Sequence, residues 1–211
     1  MSIEEAYSDW SSTYDDDRNL TRDLDQMVTR TSLADLQCGT IVEIGCGTGK
    51  NTGYLSEIGE RILALDFSAA MVARARQKLR LNNTIFAIAD ITERWPCQYQ
   101  STDLVVCNLV LEHIKDLPFI FSEAYRSLVN GGLFFMCELH PFRQYQGTKA
   151  NFERQREVRV IQAFVHHISE FLENAQSQGF VLQQFNEWWH EADAGKPPRL
   201  ASFIFKKPFV S

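Results

Sequence analysis

The chain predicts a doubly wound α/β domain, a mostly parallel sheet with helices on both faces. Three observations predict it. From residue 40 to 139, short apolar runs alternate with segments of helical spacing, the pattern of strands covered on both faces and joined by crossover helices. The first run, Ile41-Val42-Glu43-Ile44, ends in a glycine turn, Gly45-Cys46-Gly47-Thr48-Gly49, as a parallel strand does when its backbone must approach a ligand. At 211 residues the length suits one domain with a sizeable core.

The elements follow in order. Leu24, Met27 and Val28 mark a helix near the N-terminus that can close over the end of the sheet. Ile41–Ile44, Ile62–Leu65, Ile85–Ala89, Leu104–Cys107 and Leu133–Cys137 read as five strands. Between them Met71, Val72, Ala75 and Leu79 recur at helical spacing, as do Leu117, Ile120, Phe121, Ala124 and Leu128. Asn130-Gly131-Gly132 is expected to end the second of these helices through a left-handed cap. Residues 140–160 are polar, aromatic and basic, without a sustained period. Ile168, Phe171, Leu172 and Ala175 form a last helix, with Ser169 as its cap and Gly179 as its stop. Phe180–Phe185 and Leu200–Phe205 read as two strands joined by a loop containing Gly195-Lys196-Pro197-Pro198. The expected organisation is a single domain, 1–211: an N-terminal helical cap (1–36), a core (37–139), a lid (140–167), and a final helix and strand pair (168–211).

Composition narrows the classes. With 45% hydrophobic and 23% charged residues the chain is of ordinary globular make-up. A net charge of −6 argues against non-specific nucleic-acid binding, which needs a basic footprint. Arg74, Arg76, Lys78 and Arg80 wrap around a helix and read as a solvated face. The cysteines, Cys38, Cys46, Cys97, Cys107 and Cys137, form no C-x-x-C pair, which fits reduced thiols in a reducing compartment. The acidic start lacks the features of a secretory signal, and no apolar run reaches the ~18 residues of a membrane span. A cytoplasmic location is the expectation.

The glycine turn departs from two nucleotide-binding patterns, which disfavours a hydride-transferring oxidoreductase. A dinucleotide fingerprint needs a third glycine where Lys50 stands, and no Gly-Lys-Ser/Thr ends the turn as in a Walker loop. Further along, Leu65-Asp66-Phe67-Ser68-Ala69-Ala70-Met71 follows the second strand, with Asp66 17 residues past Gly49. The third strand ends in Ala89-Asp90-Ile91. The fourth runs Thr102-Asp103-Leu104-Val105-Val106-Cys107-Asn108-Leu109-Val110-Leu111-Glu112-His113.

In this order, with Asn130-Gly131-Gly132-Leu133 before the fifth strand, these motifs resemble the class I (Rossmann-like) S-adenosylmethionine-dependent methyltransferases of the small-molecule type. The resemblance covers residues 7 to 139 well and the remainder loosely. It implies a seven-stranded sheet of order 3-2-1-4-5-7-6, its last strand antiparallel, and S-adenosylmethionine as cofactor with S-adenosylhomocysteine as product. It implies that Gly45, Cys46, Gly47 and Gly49 form the cofactor loop and that Glu43 faces the methionine part. Asp66 would take both ribose hydroxyls, since a carboxylate offers two acceptor oxygens, with Phe67, Ser68 and Met71 beside it. Asp90 would take the adenine amino group and Ile91 the ring, with Asn108, Leu109 and His113 completing the site. Trp10-Ser-Ser-Thr-Tyr14-Asp15 is similar to the family's N-terminal segment and places Tyr14 over the cofactor, where an aromatic face attracts a sulfonium.

For the acceptor, Glu138 and His140 share one side of an extended segment at the carboxyl end of the sheet and are the candidate catalytic residues; the alternative for His140 is to pin the loop before Pro141. Phe142, Tyr145, Phe152 and Phe164 with Arg143, Arg154, Arg156 and Arg159 read as a lid suited to a planar or carboxylate-bearing small molecule. His166, His167 and His190 lack the spacing of a helical zinc site, and no metal is expected. The family's Asn/Asp-Pro-Pro-Tyr/Phe tetrapeptide, a mark of amide or base nitrogen methylation, is replaced by Asn108-Leu109-Val110-Leu111. The expected reaction is methyl transfer to a small-molecule acceptor, foremost to oxygen. The alternatives are a protein or tRNA acceptor, or a non-catalytic cofactor-binding partner.

Overall fold

Seven strands make one sheet in the order β3-β2-β1-β4-β5-β9-β8: β1 Cys38–Ile44, β2 Gly59–Asp66, β3 Thr84–Ile88, β4 Thr102–Asn108, β5 Leu128–Leu139, β8 Val181–Trp188 and β9 Leu200–Lys206. The computed structural model describes residues 3–11, 13–16, 19–148, 151–154 and 157–209, with 151–154 and 157–160 described by backbone alone. A small antiparallel hairpin, β6 Asn151–Arg154 and β7 Glu157–Val160, stands apart from the sheet. Without it the strand order is the expected 3-2-1-4-5-7-6. β1 to β5 run parallel, and β9 is antiparallel to both neighbours, β5 and β8.

Alternate strand residues feed two cores, one on each face. Val42, Val105, Phe134 and Met136 pack with helices α5 (Leu117–Ser127) and α7 (Ile168–Gln178). Ile41, Leu104, Val106 and Phe135 pack with α2 (Leu20–Ser32), α3 (Thr52–Ile58) and α4 (Ala69–Lys78). Helix α1 (Ile3–Trp10) belongs to neither; its Ala6 and Trp10 are buried with Ile161, which follows the hairpin. α2 is capped by Asn19, whose Oδ1 accepts from the N–H groups of Thr21 and Arg22, as a helix start requires.

Four local expectations change. β3 is not covered on both faces: it is an edge strand, and Ile85 and Ile88 are exposed. Helix α5 ends at Ser127, before Asn130-Gly131-Gly132. Its last carbonyls, on Tyr125 and Leu128, accept hydrogen bonds from the buried Lys207 ammonium instead. Gly131, at φ +86°, lies inside β5 where its pairing register with β4 shifts, and a Cβ there would stand 2.5 Å from the Phe209 ring. The N-cap of α7 is His167 rather than Ser169, while Gly179 ends it in the left-handed conformation as expected. The basic residues on α4 are not simply solvated: Arg74 Nε donates to the Ser11 carbonyl and Lys78 pairs with Asp15 at 3.0 Å, fastening the N-terminal segment.

Candidate active site

The turn after β1 is held from the neighbouring strand. Gly45, Gly47 and Gly49 all have positive φ, and at Gly45 a Cβ would lie 2.1 Å from Val110 Cγ2. The N–H of Gly47 donates to Asp66 Oδ2 at 2.8 Å, and that of Ser68 to Asp66 Oδ1 at 2.9 Å. One buried carboxylate thus locks the turns after β1 and β2 together, and each oxygen keeps a second lone pair.

Two cavities meet at this turn. The larger, about 220 Å³, is walled by Gly45, Asp66, Phe67, Asp90, Ile91, Leu109 and His113, with Tyr7 and Ile3 of α1 above them. The smaller, about 70 Å³, is walled by Tyr14, Glu43, Gly45, Cys46, Gly47, Asn108 and Leu109, with Arg22, Asp25 and Asn51. Gly45 and Leu109 belong to both. Leu109 has φ +56°, a strained conformation for a side chain with a Cβ and one that clusters at functional sites. Three expected cofactor residues wall neither cavity. Ser68 caps α4 and hydrogen-bonds the Ser8 hydroxyl at 2.9 Å. Met71 is buried in α4, and Gly49 faces Leu79 and Ala75.

Glu43 is 4% exposed and accepts a hydrogen bond from Thr52 Oγ1 at 2.5 Å. Burial, and then the nearby Asp25 and Asp66, push its carboxyl up to about 8. His113 Nδ1 lies 2.9 Å from the Gln162 carbonyl, which can only accept, so Nδ1 carries the proton. Nε2 then accepts from the Tyr7 hydroxyl at 2.8 Å, and burial holds the imidazole pKa below its ordinary value. Tyr14 is faced by the Arg22 guanidinium, 4.0 Å from its ring centroid. Tyr7 stacks on Trp10, and Tyr14 packs edge-on to Trp10 and tilted to Tyr7, forming a strap over the turn.

The candidate catalytic pair stands away from both cavities. His140 caps α6 (Pro141–Tyr145) through Nδ1, which accepts from the Phe142 N–H, and Nε2 bonds Glu187 at 2.9 Å. Both ring nitrogens are used, which matches the loop-pinning alternative. Glu138 accepts from the N–H groups of Val110 and Leu111 at 3.2 Å and fixes the chain after β4. Catalysis by these two is therefore not carried forward. Of the lid residues, Arg143 is buried against Asp193 at 2.8 Å, while Phe142 and Tyr145 are exposed. Arg156 and the side chains of Phe152, Arg154 and Arg159 lie outside the described residues. Among the described residues no three His, Cys, Asp or Glu side chains gather as metal ligands, and no helix is long and apolar enough to cross a membrane.

Arg22, Asp25 and Asn51 were missed from the sequence. A signal existed: Arg22, Asp25 and Thr29 recur at three and four on α2, a buried polar stripe beside the apolar Leu24 and Val28.

The sheet order, the glycine turn and the acids after the second and third strands define the class I, Rossmann-like fold of the S-adenosylmethionine-dependent methyltransferases. Residues 42–136 match the family model described as a methyltransferase domain. Over 140 residues it is 32% identical to the malonyl-[acyl-carrier protein] O-methyltransferase of Yersinia pestis, covering 66% of this chain and 51% of that protein. The chain thus spans about half the length of the curated relatives it matches. Among solved structures it is similar to an S-adenosylmethionine-dependent methyltransferase from Mesorhizobium loti (TM-score 0.74, 19% identity, 89% of this chain and 100% of that one). It is also similar to the N-methyltransferase NodS from Bradyrhizobium japonicum in complex with S-adenosylhomocysteine (TM-score 0.72, 17% identity, 98% and 97%).

Proposed function

We propose that this protein transfers a methyl group from S-adenosylmethionine to an oxygen of a small-molecule acceptor. The observation that carries this reading is the pair of cavities joined at Gly45 and Leu109. Their residues fit the cofactor. The larger offers apolar walls with Asp66 and Asp90, suited to adenine and a ribose diol. The smaller offers Arg22 for a carboxylate, and the buried Asn51 Oδ1 and Asn108 Oδ1, which have no hydrogen-bond partner, for an ammonium. Oxygen is favoured by the names of the relatives, malonyl-[acyl-carrier protein] O-methyltransferases.

When bound, S-adenosylmethionine supplies a methyl group on a positively charged sulfur. The chain's part is alignment and dryness. Asp66, tied to two backbone N–H groups, holds the ribose end, and the acceptors around Glu43 hold the amino-acid end. The span between them, at Gly45 and Leu109, is then fixed beneath the Tyr7–Trp10–Tyr14 strap, which keeps water out. Such alignment is worth up to ~7–11 kcal/mol of barrier in ideal cases, and an acceptor that arrives as a carboxylate needs no base.

The test is incubation with methyl-labelled S-adenosylmethionine in two arms, malonyl-acyl carrier protein and a fractionated metabolite extract. Label released by mild alkali is expected for an ester, and alkali-stable label for an ether. S-adenosylhomocysteine binding with no labelled small molecule in either arm would overturn the catalytic reading.

A further inference from the structure

Asn51 holds the N-cap position of α3 yet makes no capping hydrogen bond, although an asparagine there ordinarily caps through Oδ1. Its Nδ2 donates to Asp25 Oδ2 at 2.8 Å instead, and Asn108 Nδ2 donates to Asp25 Oδ1 at 2.6 Å. A carboxylate only accepts, so both amides must turn their nitrogens to Asp25 and their carbonyls away. Both carbonyl oxygens are buried without a hydrogen-bond partner, and Asn51 is only 7% exposed. An unsatisfied buried acceptor is costly to leave without a donor, so the pair asks for a ligand bearing N–H donors.

Glu43 walls the same small cavity. The groups around it are Asp25 and Arg22 from α2, Lys50 before α3, Asp66 from β2, Tyr14 from the strap, and Cys46 beside it. Asp25 has both oxygens filled by amide donors, whereas Glu43 receives the Thr52 hydroxyl. Burial raises all three of these carboxyls, Asp25, Asp66 and Glu43; Glu43, pushed up to about 8 by burial and then by its two acidic neighbours, lacks the paired donors that hold Asp25 and Asp66.

We infer that the α-ammonium of the cofactor's amino-acid end displaces a proton from Glu43 as it binds, so that cofactor capture releases a proton. This rests on the proposed cofactor reading. The Glu43 O–H bond breaks, the proton leaves to solvent, and the resulting carboxylate accepts an N–H of the ammonium; no covalent bond to the cofactor forms. Affinity then strengthens as pH rises toward 8, by at most about tenfold per pH unit.

Calorimetry tests it at pH 7.5 in buffers of different ionisation enthalpy. S-Adenosylhomocysteine should bind the wild type with release of most of a proton. 5′-Methylthioadenosine, which has the adenosine but no amino-acid end, should bind with none. Glu43→Gln should still bind S-adenosylhomocysteine, with proton release lost. Heats for S-adenosylhomocysteine that do not depend on buffer, or equal release with 5′-methylthioadenosine, would overturn the inference while leaving the cofactor reading intact. A wild type that binds neither ligand removes both. Should Glu43→Gln fail to fold, the contrast between the two ligands on the wild type decides.

Discussion

The two ends of the cleft recognise by different physics. The larger cavity is mostly apolar, with Phe67, Ile91, Val110 and Ile114 around two carboxylates; it selects by shape and by area removed from water. The smaller is built from Arg22, Asp25, Glu43, Lys50, Asn51 and Asn108 and selects by charge. Solvent conditions should therefore act on one end far more than on the other.

The largest expected effect is on stability against pH, and it comes from the charged end. The Glu43 carboxyl is raised from its ordinary 4.5 to about 8 by burial. Between those values the folded state holds a proton that the unfolded chain has lost. Stability from this group is full below about 4.5 and is lost as pH rises through about 8. At ~1.4 kcal/mol per pH unit, the fall between pH 5.5 and 8.5 is on the order of 3 kcal/mol. Glu138, also raised to about 8 by burial, adds to it. Urea unfolding of wild type and Glu43→Gln at both pH values isolates the Glu43 share; identical pH slopes would remove the contrast between the two ends. Asp193 has the opposite sign, since Arg199 holds it well below the ordinary range; it stabilises above about pH 4 and acts outside this window.

Next in size is Asp66→Ala at the other end. Its carboxylate ties Gly47 to Ser68 and is the proposed ribose acceptor. Affinity should fall at least tenfold, ~1.4 kcal/mol, for S-adenosylhomocysteine and 5′-methylthioadenosine alike, because both carry the ribose. A loss confined to one of them in calorimetry would place Asp66 at the wrong end of the cleft.

The contrast also explains which parts were legible in the sequence. The strands follow from β-branched runs and glycine turns, which are local signals, and their order from the resemblance those motifs carry. Gly45, Asp66, Asp90 and Asn108 sit where strands end, so the chain's own punctuation marks them. The charged end is assembled differently: Asp25 comes from α2, Asn51 from the start of α3, Asn108 from β4, and only the fold brings them together. His140 misled for the same reason. Its position at the end of β5 suggests a base, but its partner Glu187 lies 47 residues away on β8 and no local pattern announces it. Gly131 reads as a helix stop in the sequence because the competing cap, Lys207, is 79 residues beyond Leu128.

The smallest effect is expected where the strap crosses both ends. Lys78 Nζ meets Asp15 at 3.0 Å, with side chains 40% and 34% exposed, and an exposed pair of this kind contributes only ~0–1 kcal/mol. What closes the strap is buried: Trp10 is 4% exposed, the Tyr7 hydroxyl is spent on His113, and Arg22 lies against Tyr14. Lys78→Ala should therefore leave affinity for both ligands within about twofold, since exposed pairs are this weak. Amide exchange of residues 7–11 should rise only a few-fold, and ~0.5 M salt should do the same to the wild type by screening. A tenfold loss of affinity for both ligands would mean that the ion pair, not the aromatic packing, holds the cleft shut. A loss for S-adenosylhomocysteine alone would instead tie Lys78 to the charged end, where Lys50 and Arg22 already supply positive charge.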